Sequence, residues 1–228
     1  FMRKIVIVGT GYVGLVTGAG ISEFGHHVTC VDIDKDKINQ LNNGKIPIYE
    51  PGLSSLIKEN CKKGRLYFSS DIEKTIKKSD IIFIAVETPQ KNDGEVDLSY
   101  VESVAKTISE NISKYKIICT KSTVPVGTGE TIEKILLKNN NKSDFDYVSN
   151  PEFLREGSAV KDFLIPDRLV IGAKSKKAFS IMKKVYRPFF INETPIIKTT
   201  IETAEMIKYA SNAFLALKIS YINDIANL

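Results

Sequence analysis

Lys4-Ile5-Val6-Ile7-Val8-Gly9-Thr10-Gly11-Tyr12-Val13-Gly14 opens the chain, and its reading decides the fold. Ile5 to Val8 are four apolar residues in a row, the pattern of a strand buried on both faces in a parallel sheet. The run stops at Gly9. A helix is expected from Tyr12 to Phe24, with Gly25 as its stop. The spacing between strand and helix is G-x-G-x-x-G. Gly9 suits a tight turn, Gly11 lets backbone approach a diphosphate, and Gly14 lets the helix lie close on the sheet. The first turn of that helix, at Tyr12 and Val13, presents free N–H groups and a positive dipole end to phosphate oxygens.

A second strand, His27-Val28-Thr29-Cys30-Val31, follows and ends at Asp32, eighteen residues after Gly14. A carboxylate there can accept both hydroxyls of an adenosine ribose and repels a 2′-phosphate, so the expected dinucleotide is NAD rather than NADP. The competing reading is a glycine turn of an unrelated α/β protein, with Asp32 as a helix cap.

The 228 residues suffice for one large domain, or one domain and part of another. With 43% hydrophobic and 26% charged residues the composition is that of a globular protein, and no apolar run is long enough to cross a membrane. The net charge of +5 is scattered, which speaks for solvated helix faces and against a nucleic-acid surface. Cys30, Cys61 and Cys119 lie far apart without C-x-x-C spacing, so no metal site is expected. Phe1 ahead of Met2 reads as a tag remnant, and with no secretion pattern the expected location is the cytoplasm.

Downstream, strands and helices keep alternating, which predicts an α/β protein with a doubly wound parallel sheet of the Rossmann kind. Asp34 caps a helix over 35–42 that carries Lys37 near the adenosine side. Tyr49-Glu50-Pro51-Gly52-Leu53 reads as a turn into a further helix. The apolar strand over 81–86 runs into Glu87-Thr88-Pro89-Gln90, and a strand over 116–121 runs into Ser122-Thr123-Val124-Pro125-Val126-Gly127-Thr128. Both loops fall at carboxyl ends of strands, where ligands of open parallel sheets bind; the hydroxyls of the second could equally cap the next helix. A strand over 146–149 opens into Asn150-Pro151-Glu152-Phe153-Leu154-Arg155-Glu156-Gly157. As a helical turn, 152–156 would put Glu152 and Glu156 on one face, serving a site or simply solvated. Thr199 with Glu202 suggests a capping box for a long apolar helix over 201–228, expected to be buried on most sides. Lys208 and Asn212, four apart, share a face of it, either in a site or as a snorkelling lysine and a surface amide. The expected division is a dinucleotide-binding domain over 1–198 and the start of a central helical domain over 199–228.

Taken together, Gly9 to Gly14, Tyr49 to Leu53, Thr88-Pro89, Thr123 to Thr128, Asn150 to Gly157, Pro166-Asp167-Arg168 and Lys208 through Asn212 to Ser220 resemble one family, the UDP-glucose/GDP-mannose dehydrogenases, and its UDP-glucose branch in particular. The resemblance implies two successive hydride transfers that turn a CH₂OH into a carboxylate, with NAD as oxidant and UDP-glucose as substrate. It implies that Gly9, Gly11, Tyr12, Val13, Gly14, Asp32, Lys37, Thr88, Pro89, Thr123 and Glu156 contact NAD. Glu152, Phe153, Leu154, Arg155, Lys208 and Asn212 would line the sugar site. Thr123 and Glu152 would position a water, and Lys208 and Asn212 would stabilise a negative oxygen. The family's nucleophilic cysteine block has no counterpart here. The chain is therefore expected to be an inactive fragment that binds NAD, lacks the UDP-binding domain and forms a homodimer through the central helix. A UDP-N-acetylhexosamine as the substrate, or a stand-alone dinucleotide-binding module, are the alternatives.

Overall fold

The computed structural model describes residues 2–191 and 193–228. The first part runs β1 (Lys4–Val8), α1 (Tyr12–Glu23), β2 (His27–Val31), α2 (Lys35–Asn42), α3 (Leu53–Lys62), β3 (Leu66–Ser69), α4 (Ile72–Lys78), β4 (Ile81–Ile84), α5 (Ser99–Asn111), β5 (Lys116–Thr120) and α6 (Thr128–Leu137). The second runs β6 (Phe145–Ser149), α7 (Ala159–Leu164), β7 (Leu169–Ala173), α8 (Lys176–Val185), α9 (Arg187–Ile191), β8 (Ile196–Thr199) and α10 (Ile201–Ala226). Among the described residues these strands form one eight-stranded sheet in the order β3-β2-β1-β4-β5-β6-β7-β8.

The continuous apolar reading of β1 is explained by burial on both faces. Ile5 and Ile7 join a core with α1, α3, α7 and α8, while Val6 and Val8 join a second core with α4, α5 and α6. Each buried Val or Ile contributes about 1.5–3 kcal/mol. The strand order reverses between β1 and β4, so the crevice at their carboxyl ends is the expected ligand position of a doubly wound sheet. Asp34 caps its helix as read from sequence, and Asp71 and Ser175 do the same, each accepting a backbone N–H in the first turn of the following helix.

Four expectations are corrected. β7 is antiparallel to β6, because the chain leaves β6 at its carboxyl end and re-enters from the same side by way of the short α7. Only Val148 and Ser149 pair with β7, so β7 and its parallel neighbour β8 overhang the carboxyl edge of the sheet. Residues 152–156 form no helical turn; Glu152 instead bends the segment by accepting the Leu154 N–H at 2.5 Å. The cap of α10 is Thr200, which accepts the Thr203 N–H at 3.1 Å, so Thr199 and Glu202 make no capping box. Finally, α10 is buried only at Ile201, Ala204, Glu205 and Lys208, and from Asn212 onward every residue is exposed, because none of the described residues reaches beyond the sheet to cover it.

Candidate functional site

A cleft of about 330 Å³ lies at the reversal point, lined among others by Gly9, Thr10, Gly11, Asp32, Lys37, Ala85, Val86 and Glu87. The glycines have distinct tasks. Gly9 has φ +106° and a Cβ there would lie 2.5 Å from the Ala85 carbonyl oxygen, while a Cβ on Gly14 would lie 2.0 Å from the Gly9 oxygen. Both are glycines because the turn leaves no room. At Gly11 a Cβ would meet only the Glu87 carboxylate, at 3.9 Å, so the space beside it is open on the cleft side. That is the close backbone approach a diphosphate needs.

Asp32 is held, not free-swinging. One oxygen accepts the Thr10 N–H at 2.8 Å and the Thr10 hydroxyl at 2.6 Å; the other accepts the Asp34 N–H at 3.1 Å. Burial alone would raise its pKa, but these bonds and the Lys37 charge outweigh it and hold the carboxyl below its ordinary value. An ionised carboxylate has about four lone-pair sites, three of them taken here, so one stays open to a ribose hydroxyl. Val13 packs on the core beneath α1. Tyr12 packs there too, and its hydroxyl is buried without a partner among the described residues. Burial first, then the carboxylates of Glu50, Glu152, Glu156 and Asp162, push the Tyr12 pKa up.

The two hydroxyl loops meet. Thr88 Oγ1 donates to the Thr123 carbonyl at 3.0 Å, and Ser122 Oγ donates to the Val86 carbonyl at 2.6 Å. The Thr123 hydroxyl itself makes no hydrogen bond among the described residues. Pro89 is exposed at the rim.

The carboxyl edge of β6 carries a different kind of site. Lys208 Nζ lies 2.8 Å from Glu152 Oε1, with side-chain exposures of only 7% and 10%. Two cations lie over the Phe153 ring, the Arg168 guanidinium 4.3 Å and the Lys208 ammonium 5.4 Å from its centre. Leu154 packs against the core, and Phe153, Leu154 and Arg155 line one small cavity with Glu152 and Lys121. Arg155 commits its guanidinium to Asp162, at 3.0 and 2.6 Å. Glu156 is exposed, away from the Lys208–Glu152 pair, and Asn212 is exposed one turn beyond Lys208. Cys30 and Cys119 are buried strand thiols whose pKa burial raises, unsuited to nucleophilic work; Cys61 is exposed. Among the described residues no three His, Cys, Asp or Glu side chains gather in a metal-binding group, and no helix is long and apolar enough to cross a membrane.

Three buried charges escaped sequence reasoning. Glu50, inside the Tyr-Glu-Pro-Gly-Leu turn, accepts the N–H groups of Gly157 at 2.9 Å and Ala159 at 2.7 Å, pinning the loop that carries Glu152. Glu205 accepts the N–H groups of Gly127 and Gly129, both at 2.8 Å. Lys121, just past β5, reaches among the described residues only the Asn150 carbonyl at 3.4 Å and its Oδ1 at 3.5 Å, and burial pushes its pKa down to about 8. Asn150 in turn accepts from the Tyr186 hydroxyl at 2.6 Å and donates to the Val170 carbonyl at 2.7 Å. A carboxylate inside an otherwise plain turn is the only signal that pointed to Glu50.

Comparison with known proteins identifies the family. Residues 3–190 match the UDP-glucose/GDP-mannose dehydrogenase family, NAD binding domain, and residues 202–228 match the same family's central domain. UDP-glucose 6-dehydrogenase TuaD of Bacillus subtilis is 55% identical over 228 residues, covering 100% of this chain and 49% of its own length. A UDP-glucose 6-dehydrogenase of Rhizobium meliloti is 50% identical, over 99% of this chain and 52% of its own length. The structure of a UDP-glucose dehydrogenase from the archaeon Pyrobaculum islandicum superposes with a TM-score of 0.94 at 39% identity, over 99% of this chain and 52% of that one. The chain thus spans about half the length of these relatives. It belongs to the UDP-glucose/GDP-mannose dehydrogenase family and carries that family's NAD-binding domain.

Proposed function

We propose that this chain is the cofactor-binding part of an NAD-dependent UDP-glucose 6-dehydrogenase, which oxidises the sugar CH₂OH to a carboxylate by two hydride transfers. The observation that supports this most is the buried Lys208–Glu152 pair just past the carboxyl end of β6, in the same sheet whose reversal point holds the cleft. In this reading Gly9, Gly11, Tyr12, Val13 and Gly14 receive the diphosphate. Asp32, with Lys37, takes the adenosine ribose. Thr88, Pro89, Thr123 and Glu156 hold the nicotinamide half. Glu152, Phe153, Leu154, Arg155, Lys208 and Asn212 line the sugar side. Bound NAD supplies the hydride acceptor; the protein's own share is placement and charge. The ammonium of Lys208 and the amide of Asn212 stabilise an oxygen that turns negative. Glu152 in this reading relays a proton from a water held by Thr123. Cys30 and Cys119 are buried strand thiols, and this reading assigns the nucleophile and the uridine-binding part to the other half of the relatives' length. The bare apolar half of α10, with Phe214, Leu215, Leu217, Ile222 and Ile225 exposed, fits a dimer contact with a second copy.

Calorimetry on the chain tests the cofactor reading. Saturable NAD binding that NADP does not match supports it, and failure to saturate at millimolar NAD sinks it. Adding UDP-glucose should give no NADH from this chain alone, whereas a chain extended to the relatives' length should release two NADH per sugar. Light scattering that shows a monodisperse monomer would refute the dimer.

A further inference from the structure

We propose that Glu205 is a positioning residue for Thr123. The proposal rests on the reading of Thr123 as a dinucleotide contact. Glu205 is 2% exposed, and both its oxygens are used on backbone, one on Gly127 N and one on Gly129 N. These donors frame the start of α6, immediately after the Thr123 loop. A helix start is ordinarily satisfied by its own N-cap side chain. Here the N-cap is Gly127, in the left-handed region at φ +95° and with no side chain to offer. The acceptor comes instead from 78 and 76 residues downstream. A local Ser or Asp would satisfy the same N–H groups without burying a distant carboxylate, an arrangement that costs desolvation. Burial accordingly raises the Glu205 pKa, with the two backbone bonds pulling the other way.

The distant glutamate does what a local cap cannot: it ties the loop to the helix that carries Lys208, three residues further along α10. Gly129 makes this possible, because a Cβ there would lie 2.5 Å from Ile201 Cγ2 and 2.7 Å from the Tyr147 ring. The overhang of β7 and β8 brings the first turn of α10 to this edge, where its backbone lies against Gly172. The other end of the loop is fixed by Ser122 on the Val86 carbonyl and by Thr88 on the Thr123 carbonyl. Thr123 therefore sits between two anchors, with its hydroxyl uncommitted. The Glu205 anchor sets its place relative to Lys208.

A double-mutant cycle on NAD affinity, read by calorimetry in the 228-residue chain, tests this. Thr123→Val is expected to weaken NAD about fivefold, and Glu205→Gln by a similar or larger factor, as for loss of one hydrogen bond. The double variant should bind no worse than Glu205→Gln alone, because a misplaced hydroxyl has nothing left to lose. Losses that multiply overturn the positioning role and leave the dinucleotide reading of Thr123 standing. A Glu205→Gln chain that binds NAD like the wild type overturns the proposal directly. A Thr123→Val chain that binds like the wild type removes the reading of Thr123, and the proposal with it. Should Glu205→Gln unfold at the assay temperature, Glu205→Asp supplies the same cycle with the charge kept and the reach shortened.

Discussion

The dinucleotide cleft and the Lys208–Glu152 corner share one edge of the sheet but are built in opposite ways. One wall of the cleft is made close in sequence, by a glycine turn, the helix it opens and an aspartate fixed by Thr10, twenty-two residues away, with Ala85 to Glu87 closing the other side. The corner is made by buried charges that reach across the fold, with Lys208 on Glu152, Glu50 on Gly157 and Ala159, and Glu205 on Gly127 and Gly129. Backbone sterics shape the first region and electrostatics the second. Sterics are blind to pH and salt, whereas charges that have left water are costly when a partner is lost.

The sharpest way to break the contrast is at the ion pair. Lys208→Met leaves Glu152 buried and unpaired, and urea unfolding should show a loss of about 3–5 kcal/mol; adding Glu152→Gln should recover much of it. A smaller effect is expected from Lys121. Its proton is held less tightly in the fold, at about 8, than the ordinary 10.5, so between these values the unfolded chain binds more protons and stability rises with pH. The stability of wild type minus that of Lys121→Met should climb across that window by at most roughly 3 kcal/mol, and a flat difference would show that Lys121 is solvated. Next comes Glu50→Ala, which strands the Gly157 and Ala159 N–H groups. It should cost about 2 kcal/mol in urea unfolding and speed amide exchange over 152–159. The least effect on stability is expected in the cleft. Asp32→Ala should weaken NAD about tenfold, near 1.4 kcal/mol, and narrow its preference over NADP while the unfolding midpoint barely moves. Unchanged NAD affinity by calorimetry would count against the ribose assignment.

The same contrast explains what could be read before the structure. The glycine turn, its helix and Asp32 were legible, because turn, helix, strand and acid follow one another and each has a local signature; Tyr100, Ser103 and Val104, which also line the cleft, carry no such signature. The cap at Asp34 was legible for the same reason as the turn. The antiparallel β7 was not, since strand direction depends on which side the connecting chain returns from, and no residue type records that. The 152–156 segment looked helical by spacing, but Glu152 folds back on the Leu154 N–H and points its other oxygen at Lys208. Glu50 and Glu205 looked like ordinary turn and helix residues because their partners lie more than seventy-five positions away. The apolar run of α10 was legible as a helix, and its burial was not, since burial depends on what lies opposite.

That helix is a rod clamped at one end. Its anchored turns run from Ile201 to Lys208, and the remaining eighteen residues to Ala226 extend about 27 Å at the usual rise per residue. A tilt of about 5° around the clamp would carry the tip by roughly 2 Å while shifting Glu205 and Lys208 by only a few tenths of an ångström. Whatever grips the far end can therefore adjust its fit without unseating either charge.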